Sequence, residues 1–257
     1  MAKILKFIQV NIYKGKYLDA LVDFLKSEDP DFVSMQEVSS GVVNECADRK
    51  IDLFGFLGEK LKMYGRFSDN VALSDFDDSG LGNAVLSKLP IIDSKVEVLK
   101  DFRRLLLSEL KDDKFWPEIK RSIVDVSVKI NGEILHAMSV HGAWTAPPTD
   151  TNETARQAKL IASYLKSLGD VPFILGGDFN MPPEMKVIKI ISGVANNLML
   201  GSPFKYTTHP EVHKIVPRKL LVDYIFTSRH FKKISLAVPE VLVSDHLPVV
   251  AQLEFVP

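Results

Sequence analysis

Polar residues able to act in catalysis recur just past apolar, strand-like runs of this chain. Asn11 follows residues 3–10, Glu37 follows 32–36, His141 follows 134–140, and Asp178 and Asn180 follow 173–175. Asp223 lies inside the apolar run 221–226, and Asp245-His246 precedes the last strand-like run, 248–255. Any one of them alone reads as a surface carboxylate or a turn residue. Their repetition suggests strand ends converging on one rim, where loops build a site on a rigid scaffold. Arg121 joins them through a hairpin. Residues 121–130 and 133–141 flank Asn131-Gly132, a strong two-residue turn signal. Counting back from Ile130 opposite Glu133 puts Ser122 opposite His141 and Arg121 opposite Gly142. A cation and an imidazole side by side suit an anionic substrate such as phosphate.

The elements that must position these residues are legible in part. Residues 3–10 (KILKFIQV) read as a strand. Residues 16–27 carry Leu18, Leu21, Val22 and Leu25 at helical spacing, and Pro30 stops that helix. Residues 31–36 read as a second strand, parallel to the first across the helical crossover. Residues 152–168 form a helix with Leu160, Ile161, Tyr164, Leu165 and Leu168 on its apolar side and Gly169 as its stop. Buried strands follow at 171–176 and 220–227. Val249, Ala251, Leu253 and Phe255 alternate in the last strand. Strands outnumber helices and hairpins mix with crossovers, a pattern that two sheets packed face to face with helices outside would accommodate.

Composition bounds the rest. The chain has 257 residues, 46% hydrophobic and 25% charged, which excludes disorder, collagen and coiled coil. No linker or repeat divides it, so one domain over residues 1–257 is expected. Cys46 is the only cysteine, which excludes a disulfide framework. No apolar run reaches the ~18 residues of a membrane span. Residues 1–11 lack a signal-peptide core, so a cytoplasmic location is expected, and a monomer. Lys+Arg number 32 and Asp+Glu 33, a net charge of −1 that speaks against coating nucleic acid nonspecifically.

Asn11, Gln36-Glu37-Val38, the run 82–87 (GNAVLS), Val140-His141, the run 176–180 (GGDFN), the run 222–226 (VDYIF) and the run 244–248 (SDHLP) together resemble the endonuclease/exonuclease/phosphatase superfamily, whose deoxyribonuclease I-like members are metal-dependent phosphoesterases. The resemblance runs from Asn11 to Pro248, and GGDFN and SDHLP are its specific signals. It implies an α/β fold: a four-layer α/β sandwich of two mixed β-sheets with helices outside. It implies a Mg²⁺-dependent phosphoesterase, with Mn²⁺ as a substitute, acting on a phosphorylated substrate with DNA and RNA among the candidates. Glu37 then resembles the main metal ligand, with Asn11 and Asp245 near the ion, the sparse oxygen ligation that a well-hydrated hard cation takes. Asp178 resembles the group that orients or deprotonates the attacking water. Asn180, His141 and His246 would donate hydrogen bonds or positive charge to the phosphoryl group. Asp223 would hold the His246 ring, since a carboxylate in an apolar strand needs a partner. Arg121 is the expected substrate contact. The leading substrate is nucleic acid or a nucleotide-like diester. The alternative is a phosphatase or phospholipase C-type hydrolase acting on an inositol phosphate, sugar phosphate or sphingomyelin-like lipid. A catalytically dead binding module is disfavoured because the whole residue set is present.

Some features depart from that pattern or imitate others. Many members of the superfamily carry an acid two residues after the first Asn. Here it is Tyr13, which speaks against a second metal on that side. The run 140–144 (VHGAW) replaces the Asn-Ala-Gly of abasic-site endonucleases and resembles the deoxyribonuclease, sphingomyelinase and deadenylase branches. Trp144 is either core or a stacking surface at the mouth, Arg156 an ion-pair partner, and residues 101–116 either a cover over the site or an outer helix. Residues 75–80 (DFDDSG) imitate an EF-hand loop, but its twelfth position would be Leu86, not Glu. His209 and His213 have metal-ligand spacing but no HExxH glutamate, which argues against zinc.

Overall fold

The computed structural model describes residues 3–41, 51–75, 79–111, 113–215 and 219–256. Cys46 and residues 76–78 of the EF-hand-like run lie outside the described residues. In chain order the elements are β1 (Lys3–Asn11), α1 (Leu18–Glu28), β2 (Phe32–Ser40), α2 (Leu53–Leu61), β3 (Tyr64–Ala72), β4 (Gly80–Ser87), β5 (Ile91–Lys100) and the hairpin β6 (Arg121–Ile130) and β7 (Glu133–His141). There follow α3 (Asn152–Ser167), β8 (Phe173–Asp178), α4 (Lys186–Ser192), β9 (Asn196–Asn197), β10 (Asp223–Thr227), β11 (Phe231–Ala237) and β12 (Val249–Phe255). They form two six-stranded sheets, ordered β11-β12-β1-β2-β4-β3 and β5-β6-β7-β8-β10-β9. Both are mixed: β1–β2 and β7–β8 are parallel pairs among antiparallel neighbours.

Alternation along β1 explains the layering. Leu5 and Phe7 point between the sheets and pack with Ile123, Leu175 and Phe226, while Ile8 and Val10 point outward under α1 and α2. Leu18, Leu21, Val22 and Leu25 are the buried stripe of α1, which ends at Asp29 in a left-handed conformation before Pro30. On the far side, Ala158, Ile161 and Leu165 of α3 and Ile188 and Ile191 of α4 cover the second sheet. The result is a four-layer α/β sandwich. Among the described residues no helix is long and apolar enough to cross a membrane.

The hairpin register runs as expected from Ile130↔Glu133 to Ile123↔Val140, with Asn131 and Gly132 both at positive φ (52° and 95°) as a type I′ turn requires. Gly176 lets the sheets close: a Cβ there would meet Phe7 and Ser34 of the opposite sheet at 2.8 Å.

Several expectations need correction. Leu160 is 37% exposed, so it is not part of the α3 core face, which Ala158 extends instead. The strands expected at 171–176 and 220–227 begin at Phe173 and Asp223, and the first of them reaches Asp178. Glu37 does not follow the end of a strand. β2 continues to Ser40, and Glu37 sits in an irregularity of its pairing with β4 between Met35 and Val38, at φ 56°. Such a bulge re-aims one side chain without ending the strand. The described residues of 101–116 form no outer α-helix, only short 3₁₀ turns at Leu107–Lys111 and Asp113–Phe115. Leu105 bridges Leu73 beside β3, and Phe102, Phe115 and Trp116 pack on a small apolar cluster of Val71, Leu73, Leu105 and Ile119.

Candidate active site

Strand register assembles the site. His141 pairs with Asp178 across the parallel β7–β8 ladder, and Asp223 pairs with Asp178 across the antiparallel β8–β10 ladder. These three residues therefore stand at one level of the second sheet. Asn11, the last residue of β1, faces them from the first sheet: its Nδ2 donates to Asp178 Oδ2 at 3.1 Å and to Glu37 Oε1 at 3.3 Å. The Tyr13 N–H donates to Asn11 Oδ1 at 3.0 Å, which fixes the amide with its nitrogen toward both carboxylates. Asn11, Glu37, Arg121, His141, Asp178, Asn180, Asp245 and His246 all line one cavity of about 370 Å³. Asp223, fully buried, stands behind it.

Asp178 is the hub. Its Oδ1 accepts the Asn180 N–H at 2.9 Å, a contact that Asn180 makes from a left-handed conformation. Its Oδ2 lies 3.5 Å from His141 Nε2 and 3.7 Å from His246 Nε2. Asn180 Nδ2 donates to the Gly142 carbonyl at 3.3 Å, tying the GGDFN loop to the end of β7.

His246 and Asp223 form a buried dyad, Nδ1 to Oδ2 at 2.8 Å. Burial alone would push the imidazole pKa down, but Asp223, then Asp178 and Asp245, outweigh it and hold it well above the ordinary value. Gln9 Nε2 donates to the other Asp223 oxygen at 3.3 Å. Gln9 also bonds Gln36, which donates to Ser139 Oγ at 2.9 Å, so a polar seam between the sheets supports the dyad. His141 is the opposite case. Burial, and then the Arg121 guanidinium, lower its pKa to about 3, so at neutral pH it offers a hydrogen bond and not the positive charge that was one expectation for it.

Arg121 is 2% exposed, and among the described residues its buried Nε and Nη1 have no hydrogen-bond partner. Among them Nη2 reaches the Trp116 carbonyl, at 3.4 Å. Burial lowers its pKa to about 10, opposed by Asp178 and Glu37, so it stays charged at neutral pH. Arg156, by contrast, pairs with Glu153 at 2.8 Å on α3, away from the cavity.

Three charged, imidazole or indole side chains that were not expected at the site also line the cavity. His213 Nδ1 lies 3.2 Å from Asp245 Oδ2, and its ring meets the His246 ring edge-on at 5.3 Å. The i,i+4 pair thus splits: His213 enters the site, whereas His209 uses its backbone N–H to hold the Asp245 carbonyl. Lys14 and Trp116 are the other two. Tyr13, Lys14 and Gly15 all take positive φ (48°, 53° and 72°), a strained turn that brings the first two to the cavity. The spacing of His209 and His213 and the aromatic stretch 101–116 drew attention to two of these segments, but nothing local in the sequence aims His213, Lys14 or Trp116 at the site, because a loop's aim depends on what it packs against.

The donor set fits a hard divalent cation. Glu37 offers carboxylate oxygens, and burial raises its pKa, as does Asp245, against the pull of Lys14. A carboxylate so destabilised in its charged form gains most from a bound cation. Among the described residues, His213, Asp245 and His246, and Asp178, Asp223 and His246, also stand close enough to share an ion. In the second trio His246 Nδ1 is already engaged by Asp223, which reads as a dyad.

The sequence matches the profile of the Endonuclease/Exonuclease/phosphatase family over residues 8–246. No curated protein sequence matches it. Among solved structures, the fold resembles an endonuclease/exonuclease/phosphatase from Bacteroides vulgatus at 19% identity and TM-score 0.74, covering 98% of this chain and 99% of that one. It resembles the human Nocturnin catalytic domain, solved with a bound sulfate anion, at 18% identity and TM-score 0.72, covering 99% and 97%. It also resembles a mannosyl-6-phosphatase from Bacteroides thetaiotaomicron at 18% identity and TM-score 0.72, covering 98% and 100%.

Proposed function

The chain belongs to the endonuclease/exonuclease/phosphatase family, divalent-metal-dependent hydrolases of phosphoester bonds, and from that premise we propose a Mg²⁺-dependent phosphodiesterase acting on nucleic acid or a nucleotide-like substrate. The observation that carries the reading is Arg121. A buried guanidinium with two unspent donors beside His141 and Asp178 is poised for a phosphate, whose oxygens match its fork.

In this reading Glu37 holds the ion, with Asp245 and Asn11 beside it. Bound there, Mg²⁺ supplies Lewis-acid polarisation of a phosphoryl oxygen, and Mn²⁺ substitutes. Asp178, fixed by Asn11 and Asn180, orients the attacking water and accepts its proton. Asn180 and neutral His141 donate hydrogen bonds to the phosphoryl oxygens as charge builds on them. His246, kept protonated by Asp223, presents Nε2–H and positive charge to the same group. Tyr13, where many relatives carry an acid, favours a single ion.

A second reading, a phosphatase of a sugar phosphate, is favoured by the likeness to the mannosyl-6-phosphatase. A panel of phosphodiesters and phosphomonoesters with Mg²⁺, repeated with EDTA, separates the two. Nucleotide-like diesters turned over fastest, and only with metal, support the first reading. A preference for sugar phosphates replaces it with the second.

A further inference from the structure

Both tryptophans of the chain, Trp116 and Trp144, line the cavity of the reacting centre. They come from unrelated segments: Trp116 closes the packed stretch after β5, and Trp144 lies in the loop leaving β7. Both are half-buried. Their rings differ in what they touch. Lys14 Nζ sits 4.8 Å from the Trp116 ring centroid, within cation–π reach. Trp144 makes no hydrogen bond and no ring or cation–ring contact among the described residues. Apolar Pro148, Ile215, Leu220 and Val222 line the same cavity. One cavity therefore combines buried charge and carboxylates with an unengaged indole and apolar surface, the mixture that binds an amphipathic small molecule.

We propose that Trp144 is the platform of a second subsite, which stacks the base of a nucleotide while Arg121 and the carboxylate centre take its phosphate. Trp116, engaged by Lys14, forms a further aromatic wall. Stacking on an aromatic ring recognises any base, because every base has a π face. A base inside a duplex does not expose that face, so the substrate is a free nucleotide or an unpaired one. The inference rests on the phosphoesterase reading of the centre and narrows it: a sugar phosphate carries no aromatic base to stack.

The test compares a nucleoside 5′-monophosphate with ribose 5-phosphate, which share phosphate and sugar and differ by the base. Binding is read by calorimetry, with tryptophan fluorescence alongside, in EDTA, so that no turnover occurs. We expect the nucleotide to quench the emission and to bind roughly 10-fold or more tightly than the sugar phosphate, the scale of one base–aromatic stack. Trp144→Ala should erase most of that preference and leave ribose 5-phosphate affinity unchanged. Trp144→Phe, which keeps a ring, should retain the preference and lose Trp144's share of the quench, leaving only what Trp116 contributes. Equal binding of the two ligands, an unchanged preference in Trp144→Ala, or full quenching in Trp144→Phe would overturn the proposal. A nucleotide-like phosphodiester with Mg²⁺ tests the centre separately: base preference in binding without hydrolysis of that diester supports the subsite and rejects the phosphoesterase reading.

Discussion

Asp223 and His246 depend on each other. Each is buried, and neither has another partner of opposite charge as close as the 2.8 Å between them. The imidazole pKa is raised, so the pair contributes stability that is complete below the unfolded value of about 6.5 and fades as pH rises through the folded value. The same sign holds for catalysis: activity needing protonated His246 falls at alkaline pH. We expect Asp223→Asn to lower the His246 pKa and move the alkaline limb of the rate profile downward. NMR titration of the ring checks this, and an unmoved pKa rejects the pairing. His141 and Arg121 should separate kinetically. Removing a donor to the developing phosphoryl charge costs roughly 10²-fold in kcat, which is the expectation for His141→Ala. Arg121 grips the phosphate in ground and transition states alike, so Arg121→Ala should raise KM more than it lowers kcat. Steady-state kinetics showing the reverse would exchange the two roles. Most of these residues are legible in the sequence because each ends or interrupts an apolar run. His213, Lys14 and Trp116 are not, since their loops are aimed by tertiary contacts with Asp245, Leu53 and the Leu73–Leu105 bridge.

At the scale of elements, the glycines of β8 set how closely the two halves of the site approach. Asp178 reaches Asn11 across the sheets only because Gly176 leaves room for Phe7 and Ser34. Gly176→Ala places a methyl 2.8 Å from both, and neither is free to withdraw from a fully buried position. We expect a loss of about 1–3 kcal/mol, the usual cost of overpacking, read from the urea midpoint. An unchanged midpoint would mean that the sheets are not tightly apposed there. The hairpin register was readable from Ile130↔Glu133 as far as Ile123↔Val140, because Asn131-Gly132 favours a two-residue turn and a turn sets the register. The β2 bulge was not. Phe32–Ser40 has no glycine or proline to mark it, and the left-handed Glu37 is imposed by pairing with β4.

The whole molecule presents near-neutral charge around a confined cavity, and that combination limits the length of any nucleic acid it holds. Each phosphate neutralised by a bound protein releases counterions and steepens the loss of affinity with salt. We expect a shallow slope on single-stranded DNA. A slope indicating roughly six or more phosphate contacts would make a nuclease tracking a long strand the better account. The layered fold was legible from strand order and alternation. The packing of residues 101–116 beside β3 was not, because their mixed aromatic and basic residues follow neither a helical nor a strand period. The most direct test of the centre itself is hydrolysis of a nucleotide-like phosphodiester, followed against Mg²⁺ concentration in the wild type and in Asp178→Asn. We expect a rate that saturates with Mg²⁺, stops with EDTA and returns when the ion is restored. In Asp178→Asn, kcat should fall by roughly 10²–10⁴-fold, the worth of a positioned base, with KM little changed. Hydrolysis indifferent to EDTA, or an Asp178→Asn enzyme with undiminished kcat, would contradict the account.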